Sequence, residues 1–216
     1  MSHWNQHSHD APAAPQTTGI VLHWGPLYDF LSDRLLRSSK ASIRELSQVK
    51  AGDKVLDVGC GPGRLTLEAH SWAAPGGEAQ GIDASPEMIA VANRNAAKRG
   101  LGVRFQTAVV EALPFPDASF DVVLSRLMLH HLPGDLKARG LAEMRRVLKP
   151  GGVCLVVDFE PTKTGHWHFA AQHFLGPRMM QVDVSAYVPL LEAARFTQVD
   201  AGPTGVRWLS YVRGRK

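Results

Sequence analysis

An α/β chain, built on a mostly parallel sheet with helices on both faces, is what the sequence predicts, and three observations predict it. Strand-length apolar runs alternate with helical periodicities from residue 55 to the C-terminal end. Val55-Leu56-Asp57-Val58 enters a glycine turn, Gly59-Cys60-Gly61-Pro62-Gly63, and Arg64 to His70 follows as a helix. A strand covered on both faces is apolar almost throughout, and glycines allow positive φ and close backbone approach. Gln80-Gly81-Ile82 then forms a short second strand ending in Asp83. Counted from Gly59, that acid stands near the ~20-residue offset at which a carboxylate grips a ribose hydroxyl pair.

From the N-terminal end, residues 1–19 carry His3, His7, His9, Pro12 and Pro15 without periodicity and read as a tail lacking fixed structure. The histidine spacing makes no helix face and has no partner cysteine, so no metal site is assigned. Residues 20–50 form a helical lid ahead of a core spanning 51–216. Within the lid, Leu27, Phe30, Leu31 and Leu35 define one face of a helix over 26–40, and a second helix covers about 42–49. Ser85 as N-cap, Pro86 and Glu87 open a helix over 86–99. Strands follow at 102–107 and 120–125, a helix at 135–148, a strand at 152–159 and a helix at 186–194. The chain closes with strands near 196–201 and 206–213, turned by Gly202-Pro203-Thr204-Gly205. Residues 161–184 hold His166, Trp167, His168, Phe169, His173, Phe174, Met179 and Met180. They read either as a lid over an apolar or planar small molecule or as a packed helix pair.

Composition sets bounds. With 216 residues, 44% of them hydrophobic, one sizeable core is expected. Net charge is +4, but the basic residues are scattered: Arg145, Arg146 and Lys149 flank a helix end, and Arg213, Arg215 and Lys216 make a short tail. Without a basic stripe interleaved with aromatics, a nucleic-acid partner is not expected. Cys60 and Cys154 suggest no disulfide framework, which favours a reducing compartment and a cytoplasmic location. No apolar run approaches the ~20 residues that cross a bilayer, so no stable membrane insertion is expected. Oligomeric state is left open.

The turn lacks the third glycine of a dinucleotide fingerprint, having Arg64 there, so G-x-G-x-G holds where G-x-G-x-x-G fails. Four ordered blocks, VLDVGCGPG (55–63), GIDASPEMI (81–89), EALPFPDASFDVVLSRLMLHHLP (111–133) and RVLKPGGVCLVVDF (146–159), make the chain similar to the class I S-adenosylmethionine-dependent methyltransferases. Within them it resembles the type 11 group of ubiquinone and menaquinone biosynthesis methyltransferases. The resemblance implies a Rossmann-like doubly wound sheet of seven strands in the order 3-2-1-4-5-7-6, the last antiparallel. It implies S-adenosylmethionine as cofactor, with Gly59, Cys60 and Gly61 lining its methionine and ribose portion, Asp83 on both ribose hydroxyls, and Ala84 and Met88 against adenine. Asp57 and Ser125, in strands leading to the same rim, are counted with this site, and Tyr28 resembles the family's lid tyrosine or is a core-facing aromatic. Where the family has an aspartate for the adenine amino group, this chain has Val109, followed by Val110 with its backbone donor. Losing that side-chain acceptor costs on the order of 1 kcal/mol of cofactor binding.

Open sheets of this kind bind ligands beyond the carboxyl ends of their strands, which is where Ser125, His130 and Asp158 fall. A carboxylate on one imidazole nitrogen fixes the tautomer and raises the basicity of the other. His130 is therefore the candidate general base, with Asp158 orienting it. Alternatively, His130 and His131 cap the following helix or fill space. The activity expected is methyl transfer to a small, apolar or aromatic acceptor. An NAD-type oxidoreductase and a noncatalytic nucleotide-cofactor-binding protein are the other readings.

Overall fold

The computed structural model describes residues 38–161 and 182–216. The tail, the lid up to residue 37 with Tyr28, and the insertion from 162 to 181 lie outside the described residues.

A helix over residues 38–47 (α1) precedes β1 (Lys54–Val58), α2 (Arg64–Ala73), β2 (Glu78–Asp83), α3 (Pro86–Lys98) and β3 (Arg104–Thr107). Then come β4 (Phe120–Arg126), α4 (Gly134–Val147), β5 (Leu148–Phe159), α5 (Val188–Ala193), β6 (Thr197–Pro203) and β7 (Leu209–Arg215). The strands form one sheet in the order β3-β2-β1-β4-β5-β7-β6. β1 to β5 pair in parallel, β7 runs antiparallel to β5, and β6 pairs antiparallel with β7. The order and the reversed last strand are those the resemblance implied.

Both faces are covered, as the apolar β1 required. Leu56 and Val58 point to the side where Leu141 and Met144 of α4 and Leu191 of α5 are buried. Val55 points the other way, to Ile43 of α1 and Leu65, Ala69 and Trp72 of α2. Burying one such side chain contributes roughly 1.5–3 kcal/mol, so each face is held by several independent anchors. Residues 38–47 thus pack on the sheet itself.

Several boundaries moved for local reasons. β3 starts at Arg104 because Gly100 (φ 64) and the Leu101 N–H to Ala96 carbonyl bond finish α3, and the next residues carry the chain back to the sheet. β5 starts at Leu148, which pairs with Phe120 before a shift in register places Val153 opposite Val122. The Lys149-Pro150-Gly151-Gly152 stretch, ahead of the strand expected from 152, is that irregularity. The last hairpin turns later than expected. Gly202 stays in β6 opposite Tyr211, while Thr204 accepts from the Val206 N–H (3.2 Å) and donates to the Leu209 carbonyl (2.9 Å). The helix expected over 186–194 begins as a tight turn at Val184–Tyr187 and becomes α5 at Val188.

Candidate functional site

Gly59, Gly61 and Gly63 hold φ values of 74, 52 and 76, the left-handed region where glycine is favoured. Their surroundings differ. A Cβ on Gly59 would stand 2.4 Å from Met128 Cγ and one on Gly63 2.6 Å from Phe105 Cζ, whereas one on Gly61 would meet nothing within 4 Å. The turn is therefore packed at both ends and open in the middle. The Gly59 and Cys60 N–H groups both donate to the Ile82 carbonyl (2.9 and 2.8 Å), tying the turn to the end of β2.

Asp83 ends β2 beside that opening. Its Oδ2 accepts from the Gly61 N–H (2.8 Å) and its Oδ1 from the Ser85 N–H (2.9 Å), so both oxygens are fixed before any ligand arrives. Burial pushes this carboxyl above its usual range despite the two donors. Asp57 is almost fully buried, takes the Thr66 hydroxyl (2.7 Å) and is pushed up to about 6 by desolvation. It props the turn from beneath. Cys60 is buried, and desolvation with nearby Asp57 and Asp83 holds its thiol up, so it lines the turn without thiolate chemistry.

Next to Asp83, Ala84 is half-buried and Met88 buried, with Ser85 capping α3 by accepting from the Met88 N–H (3.2 Å). Val109 and Val110 are both buried. A Cβ on Gly140 would meet Val110 Cγ2 at 2.8 Å, so Val110 plugs α4. Arg146 of α4 donates to the Leu113 and Phe115 carbonyls (2.9 and 2.8 Å), and Glu143 accepts from the Leu113 N–H (2.8 Å). The arginine expected to answer a helix dipole instead clamps the segment that follows Val109 and Val110. At the end of β4, the buried Ser125 hydroxyl has no hydrogen-bond partner among the described residues. An unsatisfied buried hydroxyl costs ~1–3 kcal/mol.

The predicted His130–Asp158 pair is assembled. His130 sits in a tight turn (Leu129–His131) after β4, Asp158 at the end of β5, and imidazole Nδ1 lies 2.6 Å from Asp158 Oδ1. Asp158 also accepts from the His130 main-chain N–H (3.0 Å), the Phe159 N–H (2.9 Å) and the Tyr187 hydroxyl (3.1 Å). A carboxylate serving four donors makes Nδ1 the protonated nitrogen and leaves Nε2 its lone pair. Nothing in the linear sequence joined Tyr187 to this pair. Tyr187 faces Asp158 because the tight turn at Val184–Tyr187 precedes α5, and burial beside that carboxylate drives its phenol up.

His131 stacks obliquely on His130, with ring centroids 3.8 Å apart, and desolvation followed by repulsion from His130 pushes it down to about 4. Its ordinary value is 6.5, so the unfolded chain takes up this proton first. Stability from this group is complete above about pH 6.5 and is lost as pH falls towards 4. Urea titrations at pH 7.5 and 5 are expected to show wild type losing more stability on acidification than His131→Gln.

A methyltransferase-domain family model matches residues 55–152. The demethylmenaquinone methyltransferase of Thermus thermophilus is 42% identical over 146 residues, which are 65% of this chain and 64% of that protein. The ubiquinone/menaquinone biosynthesis C-methyltransferase UbiE of Burkholderia mallei is 35% identical over 182 residues, 82% of this chain and 74% of that one. The chain therefore spans just under two thirds of the first and about three quarters of the second. Among solved structures, a SAM-dependent methyltransferase from Aquifex aeolicus superposes with a TM-score of 0.62 at 22% identity, covering 84% of this chain and 96% of that one. At that identity the likeness shows the shared fold.

Proposed function

The chain belongs to the S-adenosylmethionine-dependent methyltransferases of the ubiquinone and menaquinone biosynthesis type, and on that premise we propose that His130, backed by Asp158, takes the hydroxyl proton of a small quinol or other phenolic acceptor. The cofactor is S-adenosylmethionine, and the residues present fit it. Among the described residues nothing lies within 4 Å of a Cβ on Gly61, the Asp83 carboxylate is fixed beside that position, and the Ser125 hydroxyl lacks a partner. Asp83 would hold the ribose hydroxyls, the 59–61 turn and Ser125 the methionine end, and Ala84, Met88, Val109 and Val110 the adenine. When bound, the cofactor supplies a methyl group on a sulfonium, which needs no acid to leave.

What the chain itself must do is align an acceptor and take its proton. Orientation is the larger effect, ~7–11 kcal/mol, against roughly 100- to 10,000-fold for a placed base. The single observation that carries the base reading is the 2.6 Å contact between His130 Nδ1 and a carboxylate that accepts three further hydrogen bonds. Nε2 is left as the acceptor. Taking the proton from a phenol raises electron density on its oxygen and on the adjacent ring carbon, so one base serves methylation at either atom. An acceptor of this kind agrees with the names of the relatives and with a small-molecule rather than a nucleic-acid substrate. Two buried thiols, Cys60 and Cys154, suit the reducing cytoplasm.

Calorimetry with S-adenosylhomocysteine and with NAD tests the cofactor, and incubation of methyl-labelled cofactor with quinol and phenol libraries tests the acceptor. Binding of S-adenosylhomocysteine and not NAD, with label in a phenolic product, is the expected result. Label appearing only on amines would sink the proposed acceptor class.

A further inference from the structure

Where β4 and β5 end, the buried Asp158 carboxylate is served evenly: each of its oxygens takes one main-chain and one side-chain donor. Oδ1 accepts from the imidazole of His130 (2.6 Å) and the Phe159 N–H (2.9 Å). Oδ2 accepts from the His130 N–H (3.0 Å) and the Tyr187 hydroxyl (3.1 Å). The two main-chain donors come with the fold. Among the described residues, Tyr187 is the one side chain besides the imidazole that donates to this carboxylate.

Tyr187 is held firmly in place. Its turn is opened by Asp183, which accepts from the Ser185 N–H (3.0 Å) and hydroxyl (2.6 Å). The ring is 4% exposed and belongs to the same buried cluster as Leu129, the neighbour of His130. On α4, the Lys137 ammonium lies 5.5 Å from the ring centroid, a cation–π contact. Burial beside Asp158 drives the phenol up, so the hydroxyl keeps its proton and stays a donor.

A buried carboxylate with an imidazole as its main partner draws a second proton onto that ring, since the resulting ion pair offsets the cost of the buried charge. An imidazolium has no lone pair on Nε2 and takes no proton from a substrate. Each further donor to the carboxylate spreads its charge and weakens that pull. The other charged or titratable groups around the pair leave this task to Tyr187. His131, stacked on His130, is pushed down to about 4 and is uncharged at neutral pH. Arg126, at the end of β4, acts on Asp57. Opposite Asp158 on β7 stands the uncharged Ser210, and Lys137 sits on the Tyr187 ring.

We propose that the Tyr187 hydroxyl, acting through Asp158, holds His130 in its singly protonated form with Nε2 bare. Tyr187 is thus a positioning residue. That the bare Nε2 then takes the proton of a methyl acceptor rests on the base reading above.

The test follows the His130 imidazole by nitrogen NMR in histidine-labelled, full-length protein saturated with S-adenosylhomocysteine. Its signals are those missing from His130→Ala. At neutral pH wild type is expected to carry the proton on Nδ1. Tyr187→Phe keeps the ring beside Lys137 and loses the hydroxyl. It is expected to hold the second proton on His130 ~3- to 10-fold more tightly, so that the titration midpoint rises by about half to one pH unit, the equivalent of one hydrogen bond. Difluorotyrosine in place of Tyr187 is a stronger donor of nearly the same shape and should lower the midpoint; it also serves if the phenylalanine variant folds poorly. A ring that only fills space moves the midpoint in neither variant. Midpoints that stay put in folded protein, or move the opposite way, overturn the proposal. If they move as expected while His130→Ala keeps full turnover of a phenolic acceptor, the base reading fails and the role of Tyr187 stands. If His130→Ala loses turnover and the midpoints stay put, the role of Tyr187 fails alone.

Discussion

Replacing Asp83 by asparagine is expected to weaken S-adenosylhomocysteine binding by at least about 100-fold, because two charge-assisted hydrogen bonds of ~1.5–3 kcal/mol each are at stake. The size of the loss comes from how the carboxylate is held. Its two oxygens face two backbone donors, Gly61 N–H at 2.8 Å and Ser85 N–H at 2.9 Å. An asparagine has one acceptor oxygen, so its amide nitrogen must oppose one of these donors whichever way it flips. The opening at Gly61 is then distorted at the same time as the proposed grip on the ribose is lost. Titration calorimetry measures the affinity, and thermal unfolding checks that the variant is folded. A folded variant with a loss under about fivefold, well below one charged hydrogen bond, would show that Asp83 only braces the turn.

His130→Ala is expected to behave in the opposite way, lowering turnover by roughly 100- to 10,000-fold while cofactor affinity stays nearly constant. The imidazole belongs to the β4–β5 part of the rim and Asp83 to the β1–β2 part, so the two substitutions act on different halves of the reaction. Space-filling by the ring would also lower activity, and three readouts separate the roles. A base leaves an acidic limb in the pH profile of kcat/KM that the variant lacks; added imidazole restores part of the rate; kcat falls while cofactor affinity does not. If kcat and cofactor affinity fall together and imidazole restores nothing, His130 is a strut that joins the turn after β4 to Asp158.

Where the sequence was legible, the physics was local or strongly periodic. β1 could be read because a strand buried on both faces must be apolar, and Ser85-Pro86-Glu87 because a helix start has a chemical signature. Asp83 and the His130–Asp158 pair were legible because topology alone sends strand ends to one rim. Contacts between distant segments were not. Tyr187 reaches Asp158 across 29 positions, Arg146 clamps Phe115 across 31, and Phe105 fills the space behind Gly63 and Gly81; no spacing encodes any of these. The glycines of 202–205 placed the hairpin turn too early, and those of 150–152 lie where β5 begins earlier than expected. Glycine marks an irregular backbone, and at Gly202 and Gly152 that irregularity lies inside or beside a ladder rather than at a chain reversal.

The reversed course of β7 carries a consequence for how such a protein diversifies. It returns residues 204–208 to the rim on a hairpin whose ladder partner is β5 rather than β1 or β2. The two ends of the crevice are therefore separate cassettes mounted on one frame. Exchanging the short 204–208 cassette between relatives should leave the contact between the Gly61 N–H and Asp83 untouched.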